Sequence, residues 1–186
     1  KVIAVVASML GGLSFVRHVR HVRHLRHARP GSESQGGDAL RALLWHAEAW
    51  TVFAVGTGVL FAIPHVNQVV HGTYAIVGHS MGSLIGVDSF LIFAGLLAFG
   101  VPRARLPRLR SAVRMASALT LLLCLALFVA GVTRGVVRVG GSGASTLVAM
   151  RAALLPVPFV GAASFVALVT LAAAVIRSLR ARRPAG

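Results

Sequence analysis

The sequence predicts an all-α polytopic transmembrane bundle, in which four full spans follow a partial one at the N-terminus. Of the 186 residues, 56% are hydrophobic and only 12% are charged, and the mean hydropathy is +0.82. A soluble domain needs a larger polar share to cover its surface. Apolar stretches of about 18 residues or more also recur, and each is long enough to cross a bilayer as a helix. These observations indicate an integral membrane protein.

The first apolar stretch, residues 1–16, would form a helix only about 24 Å long, which is too short for a full span. A secretory signal peptide is the alternative, but its apolar part would run into arginines instead of a small-residue cleavage site. The chain also begins with Lys1 and not with Met. We therefore expect residues 1–16 to be the end of a truncated transmembrane helix, and the chain to be a fragment.

A strongly basic segment follows at 17–42, where the triplet Arg-His-x occurs four times before a Gly- and Ser-rich stretch. The four histidines could bind a metal. A spacing of three residues, however, does not gather them on one helical face as a spacing of four would. We interpret the segment as a solvated cytoplasmic loop that contacts acidic lipid head groups.

Four longer apolar segments fill the region 43–183 and leave 184–186 as a tail. Proline or glycine ends the first two of them, and two prolines inside the fourth should bend it. The segments are 43–64, ending at Pro64; 74–99, ending before Gly100; 112–133; and 150–176, which contains Pro156 and Pro158.

The arginines predict how these spans are oriented. One side of the membrane collects three basic groups, at 17–29, at 103–114 and at 177–183, whereas the connection at 64–74 has no Lys or Arg. Basic loops stay in the cytoplasm, so the C-terminus is expected there. The net charge of +15 is explained by these clusters between spans, and we expect no nucleic-acid partner.

The segment Gly78-His79-Ser80-Met81-Gly82 fits the G-x-S-x-G pattern of a serine hydrolase nucleophile elbow. That chemistry needs a strand before the serine and a histidine later in the chain. The general base is missing, because no histidine follows Ser80. The eight histidines are His18, His21, His24, His27, His46, His65, His71 and His79.

The same segment is compatible with haem ligation. His79 and Met81 are two residues apart, which on an α-helix is about 200° of rotation, so their side chains point to nearly opposite faces. Imidazole and thioether are both axial ligands of haem iron. A single helix could therefore hold a haem on each side.

The stretch HGTYAIVGHSM at 71–81 resembles the segment of haem-copper oxidase catalytic subunits that ends in a His-x-His pair, and the opening HGT is nearest the nitric-oxide reductase branch. The resemblance covers 43–110 best and implies that 71–99 is a haem-binding helix. It implies that His79 is the axial ligand of the high-spin haem and that His71 lies near the haem propionates. Met81 stands where the family has its second histidine, which makes it a candidate ligand of a low-spin haem.

The resemblance also implies the reduction of nitric oxide or dioxygen at the high-spin haem beside a second metal, copper or non-haem iron. Residues outside this chain would hold that metal. The expected partners are the lipid bilayer, the missing N-terminal helices of the same subunit, and a cytochrome c or quinol electron donor. The expected location is a bacterial-type inner membrane.

Other polar residues within the spans have less specific interpretations. Asp88 follows Met81 by seven residues, on nearly the same helical face, and is either part of a proton path or a hydrogen-bonded carboxyl group between helices. His46 and Glu48 should lie at the cytoplasmic boundary. Asn67 and Gln68 should satisfy backbone groups in the external turn. Two other functions stay open at this point: a membrane-embedded serine hydrolase, and a non-catalytic scaffold or transporter component.

Overall fold

The computed structural model describes residues 36–100, 107–140 and 144–180, and these residues are almost entirely helical. The predicted helix end at 1–16, the Arg-His repeats and the tail at 184–186 lie outside them. The elements are α1 (Gly36–Ala62), α2 (Pro64–Val70), α3 (Tyr74–Met81), a π-helical segment (Gly82–Asp88), α4 (Ser89–Gly100), α5 (Pro107–Gly140), α6 (Ala144–Leu154) and α7 (Val157–Arg180).

Three helical runs are long and apolar enough to cross a membrane: Tyr74–Leu97, Leu109–Gly140 and Val148–Ser178. A fourth crossing is present if α1 and α2, which meet at an angle of 103°, are taken as one bent span. The chain is therefore a multi-pass helical membrane protein, as the composition and the apolar segments predicted.

Helix α1, which corresponds to the predicted first span, starts earlier than predicted and ends just before Pro64, as predicted. Helix α1 begins at Gly36, within the segment 17–42 that was expected to be a loop. Leu43 and Ala47 are buried against neighbouring helices, and Leu40 packs against the same cluster one turn earlier. This helical spacing of apolar residues extends α1 beyond the most hydropathic stretch.

The connection predicted as an external turn forms the short helix α2. The Asn67 side chain donates a hydrogen bond to the Phe61 carbonyl at the end of α1, at 2.9 Å, which confirms the predicted role of Asn67 in satisfying the backbone. Arg138 of α5 donates to the Gln68 carbonyl at 2.6 Å. Both bonds satisfy carbonyl groups at or near helix ends, where the helix itself supplies no donor.

The second span runs from α3 to α4 and widens into the π-helical segment between them. Its glycines recur every four residues, at Gly78, Gly82 and Gly86, and all three are buried. A Cβ atom on Gly82 would come within 2.8 Å of the Phe53 ring, and one on Gly86 would overlap the Trp50 indole. Gly82 and Gly86 therefore allow α1 to approach this span closely, as small residues do in membrane helices.

Helix α5 is the centre of the bundle and packs against α1, α2, α3, α6 and α7. It has 34 residues and is about 51 Å long, which exceeds the roughly 30 Å hydrocarbon layer. It extends beyond the predicted 112–133 because Pro107 suits the first turn of a helix and apolar valines continue past 133.

The last span is interrupted at Leu155–Pro156, between α6 and α7, where the prolines predicted a bend. Helix α7 packs along α5, and a hydrogen bond of 3.0 Å joins the buried hydroxyls of Thr120 and Ser164 across that contact. Such polar bonds between membrane helices complement the close packing.

Two apolar clusters form the interior. The larger one lies between α1, α4, α5 and α7 and includes Leu43, Trp50, Phe90, Val113 and Leu171. The smaller one, at the end of the bundle near α2, consists of Phe61, Val70 and Ala75 with Phe128 beside them.

We expect replacement of Gly135 by alanine to lower the free energy of unfolding. A Cβ atom there would overlap the Val69 carbonyl, which is backbone and cannot rotate away. Overpacking of this kind costs about 1–3 kcal/mol. Gly56→Ala is the matched control, because nothing lies within 4 Å of its Cβ position. Denaturant unfolding in detergent measures both variants, and equal stability of the two would contradict the packing role of Gly135.

Candidate functional site

His79 lies near the end of α3, inside the span Tyr74–Leu97, and faces α1. Its Nδ1 atom is 2.8 Å from the Thr57 hydroxyl oxygen. The Phe61 ring meets the imidazole edge-on, with 5.6 Å between the ring centroids. The imidazole is half-buried. Two residues one helical turn apart on α1 thus hold His79 in a fixed position.

The edge of the imidazole that carries Cε1 and Nε2 lies beside Gly58 of α1. A Cβ atom on Gly58 would be 3.5 Å from Cε1 and 3.9 Å from Nε2 of His79. These are ordinary van der Waals distances, so the ring packs beside α1 at Gly58 and an alanine would also fit there. Within the part of the chain that the structure describes, Nε2 has no hydrogen-bond partner.

An apolar aromatic wall borders this position. Phe61 and Phe128 are 5.5 Å apart between centroids, Phe128 and Phe53 are 5.7 Å apart, and Phe53 and Trp50 are 5.4 Å apart. The Trp50 indole donates a hydrogen bond to Ser117 at 3.1 Å. The wall joins α1 to α5 along the interior and lowers the polarity around His79.

Met81 and His71 lie in different surroundings. Met81 is half-buried and packs against the larger apolar cluster, whereas His79 contacts Phe61 of the smaller one. His71 directly follows α2, and its backbone N–H donates to the Asn67 carbonyl, while its side chain is exposed. The predicted haem roles of Met81 and His71 stay predictions.

Asp88 does not share the surroundings of Met81, although a regular α-helix would bring both residues to nearly one face. Met81 packs inward, whereas Asp88 is exposed. The reason is the π-helical segment between them, whose wider turns change the rotation from one residue to the next. A proton path through Asp88 stays a prediction.

The predicted boundary residues of α1 are placed apart from His79. The His46 ring stacks on Phe90, with 5.9 Å between centroids, and its Nδ1 is 2.7 Å from the Ala42 carbonyl. Glu48 is half-buried. Among the described residues, no group of three or more His, Cys, Asp or Glu side chains could hold a metal ion.

The glycines of the G-x-S-x-G pattern have a packing role. A Cβ atom on Gly78 would lie 3.1 Å from the Cys124 carbonyl of α5, and Gly82 lies under Phe53 of α1. Ser80 lies between them within a continuous helix, and its side chain is exposed. A nucleophile elbow is a sharp turn between a strand and a helix, so the helical backbone at Ser80 lacks the turn that the chemistry requires.

Sequence reasoning missed Thr57, Gly58 and Phe61. The sequence did contain one indication of their proximity to each other. Thr57 and Phe61 are four residues apart and therefore share one face of the predicted span. A threonine within an apolar span also tends to face another helix. Its pairing with His79, 22 residues away, depends on how α1 and α3 are rotated, which a single sequence does not reveal.

Comparisons of the chain with protein-family models, with curated proteins and with solved structures find no match.

We expect a fluorophosphonate probe to leave Ser80 unlabelled, because nothing in its helix activates the hydroxyl. The probe is applied to the purified protein and to a Ser80→Ala variant, and labelling is followed by mass spectrometry of the peptide containing residue 80. Labelling that disappears in the variant would instead support the serine hydrolase hypothesis.

Proposed function

We propose that the chain is the C-terminal portion of a haem-copper-type membrane oxidoreductase, nearest the nitric-oxide reductase branch, with His79 as the axial ligand of its high-spin haem. One observation carries the proposal. His79 lies within a membrane span, where Thr57 and Phe61 fix its ring, and its Nε2 atom has no partner in the described part of the chain.

The cost of a polar ring in the membrane supports a ligand role. Ionisable residues inside spans are rare and often mark functional sites. The bond to Thr57 satisfies only one of the two ring nitrogens. A polar atom without a hydrogen bond is costly in the apolar layer of a membrane, and bonding to iron would remove that cost. Metal-bound histidines commonly have their second nitrogen held by a hydrogen bond, as Nδ1 is here.

The surrounding residues have defined parts in this proposal. Thr57 and Phe61 orient the imidazole, and the wall of Phe53 and Phe128 excludes water. When bound, the high-spin haem beside a second metal would supply the iron at which nitric oxide or dioxygen is reduced. The electrons would come from a cytochrome c or quinol donor by way of a low-spin haem.

Replacement of His79 by alanine in the complete protein should abolish the high-spin haem absorption, because the axial nitrogen is lost. His65→Ala is the matched control, since His65 is exposed on α2 and should leave the spectrum unchanged. Visible absorption of the purified proteins measures both. A colourless wild-type protein, or a His79→Ala variant with an unchanged spectrum, would contradict the proposal and favour a non-catalytic membrane component.

Replacement of Met81 by leucine tests the low-spin haem assignment independently of the high-spin one. Leucine has a similar volume, so packing against the larger cluster should be kept, while the sulfur ligand is lost. We expect the variant to lose the low-spin haem spectrum and keep the high-spin one. If both spectra persist, Met81 has only a packing role and another residue ligates the low-spin iron.

A further inference from the structure

The hydroxyl of Thr57 makes two short polar contacts. Its Oγ1 atom is 2.8 Å from the Phe53 carbonyl oxygen, one helical turn earlier on α1, with the Ala54 carbonyl oxygen also near at 3.2 Å. The same Oγ1 atom is 2.8 Å from Nδ1 of His79. The two distances of 2.8 Å are those of full hydrogen bonds.

The sources of the two protons follow from this geometry. Two oxygen atoms 2.8 Å apart need a proton between them, because their lone pairs would otherwise repel. The carbonyl has no proton to give, so the hydroxyl donates to the backbone, as threonine commonly does within helices. The proton in the contact with His79 must then come from the imidazole, since the hydroxyl has only one.

We infer that Thr57 is a positioning residue that fixes the neutral His79 ring with its proton on Nδ1 and its lone pair on Nε2. A free imidazole favours the opposite arrangement, with the proton on Nε2. The α1 backbone therefore sets the chemistry of a side chain on α3 through a single hydroxyl group. The hydrogen bond on one ring nitrogen determines whether the other can bind a metal.

The consequence for ligand binding rests on the proposed function. A haem iron needs the lone pair on Nε2, and the bond from Nδ1 keeps that lone pair available before any haem is present. Loss of an outer hydrogen-bond partner typically lowers metal affinity about 10- to 100-fold. Thr57 would therefore prepare the haem site without touching the haem.

Nitrogen NMR of the chain carrying isotope-labelled histidine, reconstituted in lipid nanodiscs without haem, tests the inference directly. Subtraction of the spectrum of His79→Ala identifies the His79 signals among the eight histidines. We expect a protonated Nδ1 and an unprotonated Nε2 in the wild-type protein. A wild-type ring protonated on Nε2 alone would overturn the inference, whether or not the protein binds haem.

The variants separate positioning from packing. Thr57→Val keeps the shape of the side chain but removes the acceptor, so the proton should shift toward Nε2. Thr57→Ser retains the hydroxyl and should behave as the wild type. Thr51→Val is the matched control, because Thr51 donates the same kind of bond to the Ala47 carbonyl, at 2.7 Å, without a histidine beside it. A Thr57→Val ring with the wild-type proton pattern would overturn the role of Thr57.

Haem titration of the complete protein then tests the consequence separately. We expect Thr57→Val to weaken haem binding about 10- to 100-fold and Thr51→Val to leave it unchanged. A proton that shifts in Thr57→Val, in a protein that binds no haem at all, would refute the proposed function and leave the positioning role intact. Haem binding unaffected by Thr57→Val would overturn the link between the two.

Discussion

The distance between neighbouring helices is the constraint on which the rest of this structure depends. Lipid tails are as apolar as leucine, so helices in a membrane gain little from burying apolar side chains and associate through close contact instead. Gly82 and Gly86 bring the second span against Trp50 and Phe53 of α1. The bond between Thr57 and His79 is 2.8 Å long and can form only where these two helices come so close. The candidate site is thus a product of helix packing.

The π-helical segment connects that packing to the placement of polar residues. It begins directly after Met81 and ends at Asp88, and it contains both glycines that face α1. Its wider turns separate the surroundings of Met81 and Asp88, so that the Asp88 side chain is exposed while the Met81 side chain packs inward. π-Helical turns are frequent at functional sites. Here the irregular turns follow His79 within three residues.

Hydropathy, together with the prolines and glycines that end apolar segments, predicted most of the fold. The spans were found because apolar length is a direct requirement of the bilayer, and Pro64 and Pro156 marked real interruptions because proline removes a helix hydrogen bond. The π-helical segment was missed, since a change in backbone pairing leaves the apolar composition unaltered. His79 stood out as a polar residue in an apolar span. Its partner Thr57 did not, because the contact depends on the relative rotation of two helices.

The G-x-S-x-G pattern shows why tertiary context decides between chemistries. In a hydrolase its glycines permit a tight turn that exposes the serine. In this chain the same spacing of four places Gly78 against α5 and Gly82 against α1, while Ser80 is exposed. Helices α5 and α1 both pack closely against α3 at these glycines. His79, which lies between Gly78 and Gly82, then contacts α1 through Thr57. The residues that mimic a nucleophile elbow are thus the residues that bring an imidazole to a hydroxyl on the adjacent helix.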